Sequence, residues 1–194
     1  MNKIQFYFFT NILNETIVKN IIKFRNICVI YRPEEDGSKN SIQIIKIKNF
    51  CKKNKILFYI ADNYKLATKH AADGIFLSSS NKSFLKPMQT KNNFYTLGSA
   101  HNFLEYSIKT RQNCKEVMLS PIFFNKKYSD NKILGVIKFN LISNYWNAAL
   151  CALGGINLNN LKRLRMCRIK SIAFISLMNS PKIKKPTYLF GRWA

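Results

Sequence analysis

Two adjacent glycines, Gly154 and Gly155, stand between an apolar run and a stretch of helical pattern. Residues 148–153 have the continuous apolar composition of a buried strand, and residues 158–167 have the spacing of a helix. Glycine lacks a Cβ, so a ligand can approach the backbone N–H groups at this point, and a helix N-terminus nearby attracts anions. The pattern predicts a phosphate site at the end of a strand in a (β/α) barrel.

Polar side chains that suit the same kind of ligand follow the other predicted strands. Arg32 presents a planar guanidinium to phosphate oxygens, and Lys126 and Lys127 add positive charge after the sixth strand. Asp62 ends the third strand and can hold Mg²⁺ through one carboxylate, with diphosphate and water completing the coordination. Strand ends of a parallel barrel meet at one face. The residues there predict a polyanionic ligand: Thr10, Arg32, Asp62, Ser78, Ser79, Ser80, Ser99, His101, Ser120, Asn125, Lys126, Lys127, Gly154, Gly155 and Ser176.

Each of these residues also has a structural alternative. Arg32 can form an ion pair with Asp62 or Glu34, and Asp62 can cap a helix before Asn63. Capping or packing is the alternative for three further residues: Ser99, Ser176 and His101. The sequence contains no arrangement of Ser-His-Asp, Cys-His or paired carboxylates that would predict a hydrolase.

The predicted strands and helices alternate along the chain. Eight strands are predicted from runs rich in Ile, Val, Phe and Tyr, most of them continuously apolar, at residues 4–10, 27–32, 56–62, 74–78, 94–99, 117–123, 148–153 and 171–177. Helical patterns lie between them at residues 15–24, 41–53, 63–71, 102–110, 134–142 and 158–167.

This alternation predicts an α/β fold, a compact single-domain TIM (β/α)8 barrel below the roughly 250 residues typical of that fold. Pro181, Pro186 and Gly191 predict an irregular or shortened final helix, so we expect the barrel over residues 1–180 and an irregular basic tail over residues 181–194. A doubly wound open sheet is the alternative. No strand is followed by GxGxxG or GxxxxGK[ST], which weakens a nucleotide-binding version of that sheet.

Charge is the most extreme feature of the composition. The 32 Lys and Arg outnumber the 9 Asp and Glu and give a net charge of +23. Such a surface can bind nucleic acid or anionic membrane, but the lysines are dispersed, which favours a compositional bias with no specific nucleic-acid or membrane partner. The five cysteines are odd in number and widely spaced, as reduced thiols of a cytosolic protein are. No apolar run approaches a membrane span, so we expect a cytoplasmic protein.

Four segments in order resemble the superfamily of thiamine phosphate synthases and thiazole tautomerases, which are compact TIM barrels. They are residues 60–67 (IADNYKLA), 72–77 (ADGIFL), 120–123 (SPIF) running on to 134–135 (LG), and 152–156 (ALGGI). The resemblance extends from the first predicted strand to about residue 178. The Leu-Gly pair followed by the A-x-G-G-I strand is its most specific part.

The resemblance implies an enzyme that joins a pyrimidine diphosphate to a thiazole phosphate and releases thiamine monophosphate and diphosphate. It implies Mg²⁺ as the cofactor and these small phosphorylated substrates as the partners, and it leaves a homo-oligomer open. By position, Arg32 matches an arginine that contacts the diphosphate and the pyrimidine, Asp62 the first Mg²⁺ ligand, and Ser99 a serine near the pyrimidine. Gly155 and Ser176 match contacts to the thiazole phosphate.

The chain departs from the family pattern at several of these positions. The family's Gln-x-Arg-x-Lys is Ile-Tyr-Arg-Pro-Glu at residues 30–34, and the Asn before the metal Asp is Ala61. The Gly-Gln and second metal Asp after the fourth strand are replaced by the segment that ends in Asn81, and the Thr-x-Thr-Lys after the sixth strand by Asn-Lys-Lys-Tyr at residues 125–128. Three functions therefore compete: a divergent synthase, a relative that binds a phosphorylated thiamine-pathway ligand without catalysis or with an altered substrate, and a basic nucleic-acid-binding protein. The tautomerase branch is disfavoured, because no histidine follows the sixth strand.

Overall fold

The computed structural model of the chain describes residues 4–33, 40–84, 94–125, 132–146, 150–181 and 183. Eight strands follow one another in chain order around a closed barrel. They are β1 Gln5–Thr10, β2 Ile27–Tyr31, β3 Leu57–Ala61, β4 Gly74–Leu77, β5 Tyr95–Ala100, β6 Glu116–Leu119, β7 Leu150–Leu153 and β8 Ile169–Phe174. The pairs β1–β8, β2–β3, β3–β4, β4–β5 and β7–β8 are parallel. The predicted TIM barrel is confirmed.

Among the described residues, five α-helices occupy connections between strands: α1 Glu15–Ile22, α2 Asn40–Lys53, α3 Tyr64–Lys69, α4 Phe103–Arg111 and α5 Gly135–Tyr145. Three of them begin directly after an asparagine whose side chain accepts a backbone N–H of the first turn, namely Asn14, Asn63 and Asn102. Asparagine satisfies an N–H group that has no partner inside the helix, which fixes where each helix starts. None of the helices in the described part of the chain is both long and apolar enough to cross a membrane.

Two of the differences between prediction and structure lie beside the two glycines. The helix predicted at 158–167 is present, but as a short 3₁₀ helix, Leu161–Met166, and not as an α-helix. The sixth strand ends at Leu119 and not at 123, because Pro121 has no N–H to donate to a strand ladder. After β8 the chain forms a 3₁₀ helix, Leu177–Asn179. The division at residue 180 stays a prediction, and residues 184–194 lie outside the described part.

The chain divides into two compact units. The first comprises Met1–Phe8, Asn14–Ile27 and Leu119–Ala194. In it, the ring of Phe6 lies 5.1 Å from that of Phe24 and 5.9 Å from that of Phe174, centroid to centroid. Buried Asn20 donates from Nδ2 to the carbonyl oxygens of Met178 and Ser180, both at 2.8 Å. These bonds attach the segment after β8 to α1.

The second unit comprises Phe9–Leu13 and Cys28–Met118. Its strands β2 to β5 are almost fully buried, which matches the continuous apolar composition of β2, β3 and β4; β5 also buries the polar residues Thr96 and Ser99. Asp73 enters β4 from its N-terminal end, and its Oδ2 accepts the N–H of Phe58 at 2.7 Å. Asp73 therefore has the structural role expected for a carboxylate at that end of the strand.

Buried thiols in the second unit make its stability sensitive to alkaline pH. Burial raises the pKa of Cys28, Cys51 and Cys114 from 9.0 to about 12. A thiol whose pKa is raised on folding stabilises the fold below its unfolded pKa, and the contribution is lost as the pH rises towards the folded value. We expect the free energy of unfolding to fall between about pH 9 and pH 12.

Urea unfolding at a series of pH values measures this effect, and Cys114→Ala is the control. Cys114 is the half-buried member of the set, and alanine removes its ionisation without adding volume. The variant should lose less stability than the wild type over the same alkaline range, since it has one fewer thiol to ionise on unfolding. Equal losses in the two proteins would contradict the assignment.

Candidate active site

Gly154 and Gly155 form a turn that no other residue type fits without strain. Their φ angles are +93° and +70°, in the region that L side chains rarely adopt. A Cβ on Gly155 would lie 2.2 Å from the carbonyl oxygen of Phe123 and 2.4 Å from that of Phe124. The protein's own backbone, in the segment after β6, therefore occupies the space that the missing Cβ leaves at Gly155.

Asparagine side chains hold the segment after this turn. Asn160 donates from Nδ2 to the carbonyl oxygen of Gly155 at 2.8 Å, and its Oδ1 accepts the N–H of Asn157 at 2.9 Å. Oδ1 of Asn157 in turn accepts the N–H of Asn159 at 2.9 Å. These local bonds satisfy backbone groups in a non-helical conformation, which explains why no α-helix begins here. The predicted attraction of anions to a helix N-terminus is therefore not available at this position.

A cavity of about 510 Å³ opens beside the glycine turn. Apolar residues and glycines make up most of its lining: Phe124, Asn125, Gly154, Gly155, Ile156, Asn157, Ala173, Ile175 and Ser176. Ser176 is exposed at the end of β8, and its side chain makes no capping hydrogen bond to the 3₁₀ helix that follows. The alternative of a capping hydroxyl is thus not realised in the structure, and the hydroxyl is available to a ligand. Lys126 and Lys127 lie outside the described residues.

Arg32 lies in the second unit, directly after β2. Its N–H donates to the carbonyl oxygen of Thr10 at 3.0 Å, which fixes the backbone at the end of the strand. The side chain is exposed and forms no ion pair with any residue that the structure describes, Asp62 included. The alternative of an ion pair with Asp62 is not realised, and Glu34 lies outside the described residues. The guanidinium is therefore available to an anion.

Asp62 follows β3 with φ +55°, a left-handed conformation in which Asn and Asp are favoured over most other residues. Its Oδ1 accepts two hydrogen bonds, from the N–H of Ser78 at 2.8 Å and from Nδ2 of Asn81 at 2.9 Å. The cap of α3 is Asn63 and not Asp62, because Asn63 Oδ1 accepts the N–H of Leu66. The carboxylate is held by the segment after β4, and the capping alternative is excluded.

A magnesium ion would find only part of a binding site around Asp62. The described residues contain no group of three or more His, Cys, Asp or Glu side chains arranged for a metal. Asn81 directs its NH₂ group towards Asp62, and its Oδ1 accepts the N–H of Ser83 at 3.0 Å. Oδ2 of Asp62 accepts no hydrogen bond from the described part of the chain. The residues therefore fit Mg²⁺ bound through one carboxylate oxygen, with substrate phosphate and water supplying the rest.

Two other candidates have clear positions in the second unit. Ser99 lies inside β5 and is 6% exposed, so it does not cap a turn. The backbone N–H of His101 donates to Glu105 Oε2 at 2.6 Å, and the Glu105 N–H donates to Oδ1 of Asn102 at 3.0 Å. This reciprocal arrangement starts α4. At the level of its backbone, the histidine therefore belongs to the helix cap.

Sequence reasoning missed the residues that hold the candidate groups in place. Asn160 fixes the glycine turn, and its signal was visible: three asparagines among residues 157–160 are typical of local side-chain-to-backbone bonds and not of a helix. Lys109 and Gln112 fix the segment after β4. A lysine in a helical pattern is normally solvent-exposed, so the sequence carried no signal for its burial.

Comparison with known proteins agrees with the barrel fold. A sequence model of the family described as thiamine monophosphate synthase matches residues 7–178. The thiamine-phosphate synthase of Prochlorococcus marinus is 29% identical over 145 residues, which make up 74% of this chain and 41% of that protein. The thiamine-phosphate synthase of Methanococcus vannielii is 24% identical over 179 residues, 90% of this chain and 87% of that protein.

Among solved structures, a thiamine phosphate pyrophosphorylase from Pyrococcus furiosus superposes with a TM-score of 0.71 at 19% identity. The superposition covers 92% of this chain and 89% of that one. Similarity at this level of identity concerns the fold. The chain spans only 41% to 44% of the length of three Prochlorococcus marinus relatives that it matches.

Proposed function

Because the chain belongs to the thiamine monophosphate synthase family, whose model matches residues 7–178, we propose that it is a thiamine phosphate synthase. The reaction joins a pyrimidine diphosphate to a thiazole phosphate and gives thiamine monophosphate and diphosphate. The observation that carries the proposal is Asp62, a carboxylate fixed at the end of β3 by two hydrogen bonds to one oxygen. Its second oxygen would bind the Mg²⁺ that also binds the diphosphate.

The proposed chemistry is the departure of one charged group and the attack of another. The C–O bond between the pyrimidine methylene carbon and the diphosphate breaks, and its electron pair leaves with the diphosphate oxygen. The lone pair of the thiazole nitrogen then forms the new C–N bond to the methylene carbon. Since both steps move charge and no proton has to be removed from carbon, the protein acts mainly by electrostatic stabilisation and positioning.

The second unit supplies groups for the diphosphate in this proposal. Mg²⁺ bound through Asp62 would neutralise the charge that develops on the leaving diphosphate. The exposed guanidinium of Arg32, which no described residue pairs, binds phosphate oxygens through two parallel N–H donors. Ser99, buried in β5, contributes a hydroxyl beside the pyrimidine. The loss of a second metal carboxylate at Asn81 predicts weak Mg²⁺ binding in the absence of diphosphate.

The first unit supplies the groups for the thiazole phosphate. Its cavity of about 510 Å³ has the size of a small-ligand pocket. Gly154 and Gly155 place the backbone at its wall, and the Ser176 hydroxyl is a side-chain donor for phosphate there. Lys126 and Lys127, in the segment between β6 and α5, are proposed as the cations that balance the phosphate charge.

The direct test supplies the pyrimidine diphosphate, the thiazole phosphate and Mg²⁺ to the purified protein and measures thiamine monophosphate. We expect product from the wild type. In Arg32→Met we expect kcat/KM to fall at least about tenfold, because methionine keeps the aliphatic stem but removes the charge-assisted hydrogen bonds to phosphate. Arg111→Met is the matched control, since Arg111 lies in the last turn of α4 and has no proposed role.

One result would contradict the proposed activity, and another would change the residues assigned to its site. Saturable binding of thiazole phosphate or thiamine phosphate without any turnover would favour a ligand-binding relative. Equal activity in Arg32→Met and Arg111→Met would leave the synthase assignment but remove Arg32 from the site.

A further inference from the structure

Lys109 is a fully buried lysine, which is rare because burial removes the ammonium group from water. It lies in α4 and has no accessible surface. Its Nζ donates to the backbone carbonyl oxygen of Asn81 at 2.7 Å and to Oε1 of Gln112 at 3.0 Å. The cation is thus satisfied by two neutral oxygens, one in the segment that follows β4 and the other at the C-terminal end of α4.

The neighbouring strand has a gap that accommodates the lysine stem. A Cβ on Gly98, in β5, would lie 2.9 Å from Cδ of Lys109 and 2.9 Å from Sγ of Cys114. Any larger residue at this position would displace the lysine or the cysteine. Glycine in the middle of a strand costs stability, and here its absent side chain makes room for the stem that carries the ammonium across β5.

A continuous series of hydrogen bonds runs from Lys109 to the carboxylate of Asp62. The carbonyl oxygen of Asn81 accepts from Lys109 Nζ and, at 3.1 Å, from Nε2 of Gln112, which also donates to the Ser83 carbonyl oxygen at 2.8 Å. The side chain of the same Asn81 donates to Asp62 Oδ1 at 2.9 Å. Backbone and side chain of one residue therefore connect the buried cation to the carboxylate.

We propose that Lys109 is a positioning residue, whose buried ammonium fixes the segment after β4 so that one Asp62 oxygen is held and the other is left for a metal-bound diphosphate. This inference rests on the proposed function of the Asp62 site. Asn81 stands where the family pattern has a second metal-binding carboxylate. The buried ammonium of Lys109 holds the backbone of Asn81 and so sets the orientation of its amide side chain.

Charge and geometry support this role over simple packing. An apolar side chain would fill the same space beside Gly98 but would leave the Asn81 carbonyl with one donor fewer. Burial lowers the pKa of Lys109, while the negative charges of Asp62 and Glu105 act in the opposite direction, so the lysine and Asp62 interact electrostatically. The positive charge of Lys109 also lowers the electrostatic cost of keeping Asp62 ionised beside a diphosphate, because the two anionic groups repel each other.

The test compares the wild type with Lys109→Met, which keeps a linear side chain but lacks the ammonium. Two quantities are measured: the hydrogen-exchange rate of the Ser78 amide, which donates to Asp62 Oδ1, and the affinity for inorganic pyrophosphate with and without Mg²⁺. We expect Ser78 exchange to accelerate at least about tenfold, the effect of losing a hydrogen bond to a charged group. We expect the Mg²⁺-dependent part of the pyrophosphate affinity to fall about tenfold or more, as when an outer residue of a metal site is removed.

Three further variants separate positioning from general destabilisation. Gln112→Leu, which removes the weaker donor to Asn81, should act in the same direction and keeps the test usable if Lys109→Met does not fold. Asn140→Ala, in the first unit, removes bonds to the Met166 carbonyl and the Arg168 N–H. It should lower stability without changing either measured quantity. In an Asp62→Asn background, Lys109→Met should cause no further loss of Mg²⁺-dependent affinity.

Unchanged Ser78 exchange in both Lys109→Met and Gln112→Leu would overturn the positioning role, whatever the activity. Accelerated exchange with no change in Mg²⁺-dependent affinity would overturn its link to the metal-bound diphosphate. If the wild type binds no pyrophosphate while Ser78 exchange responds as expected, Lys109 positions Asp62 but the proposed function fails. The two failures are thus distinguishable.

Discussion

Gly155→Ala is expected to destabilise the protein by at least about 3 kcal/mol, because it combines backbone strain with a collision. The residue has φ +70°, and the new Cβ would lie 2.2 Å and 2.4 Å from two backbone oxygens, those of Phe123 and Phe124. Backbone oxygens cannot rotate away as the end of a flexible side chain can. Relief therefore requires the segment after β6 to move away from the glycine turn. Urea unfolding measures the loss.

Gly135→Ala separates the two causes. Gly135 has φ +63°, close to that of Gly155, but a Cβ built on it meets nothing within 4 Å. This variant should lose only the strain of the left-handed conformation, about 1 kcal/mol. The difference between the two variants then measures the contact with the Phe123 and Phe124 backbone. Equal losses would mean that the close approach is relieved without cost and that the turn does not hold the β6 segment.

The barrel could be predicted from the sequence because each strand carries its own signal. Strands buried on both faces are continuously apolar, as Ile27–Tyr31 and Leu150–Leu153 are, and no tertiary information is needed to recognise them. Arg32 and Asp62 each come directly after a strand, so the direction of the chain alone places both at the C-terminal ends of their strands. The position of a residue relative to a strand end is a local property, and the structure agrees with it for both residues.

The contacts that fix these side chains could not be predicted, because each contact joins residues that are distant in the sequence. The burial of Lys109 requires the missing side chain of Gly98, and the orientation of Asp62 requires Asn81. A rule based on residue type assigns lysine to the surface, because it considers one residue at a time and not the distant partner that makes burial possible. The glycine turn shows the same limit: the sequence predicted a site open to ligand, whereas the absent Cβ of Gly155 is matched by the backbone of Phe123.

Asp62→Asn is expected to abolish Mg²⁺-dependent synthesis of thiamine monophosphate while leaving the fold intact. Asparagine tolerates the left-handed conformation at φ +55° and keeps an oxygen that accepts from Ser78 and Asn81. The substitution replaces the other carboxylate oxygen with an NH₂ group, which cannot bind a cation. We therefore expect a fall in kcat/KM of at least about a hundredfold, the several kcal/mol that a metal contributes to charge stabilisation.

The matched control is Asp73→Asn, which removes the same charge from the opposite end of a strand in the same unit. Asparagine can still accept the Phe58 N–H there, so fold and turnover should both be kept. Activity and the Mg²⁺ dependence of pyrophosphate binding should be lost in Asp62→Asn alone, with urea unfolding unchanged within about 1 kcal/mol. Parallel losses in both variants would assign the effect to net charge, and full activity in Asp62→Asn would remove the carboxylate from the reaction.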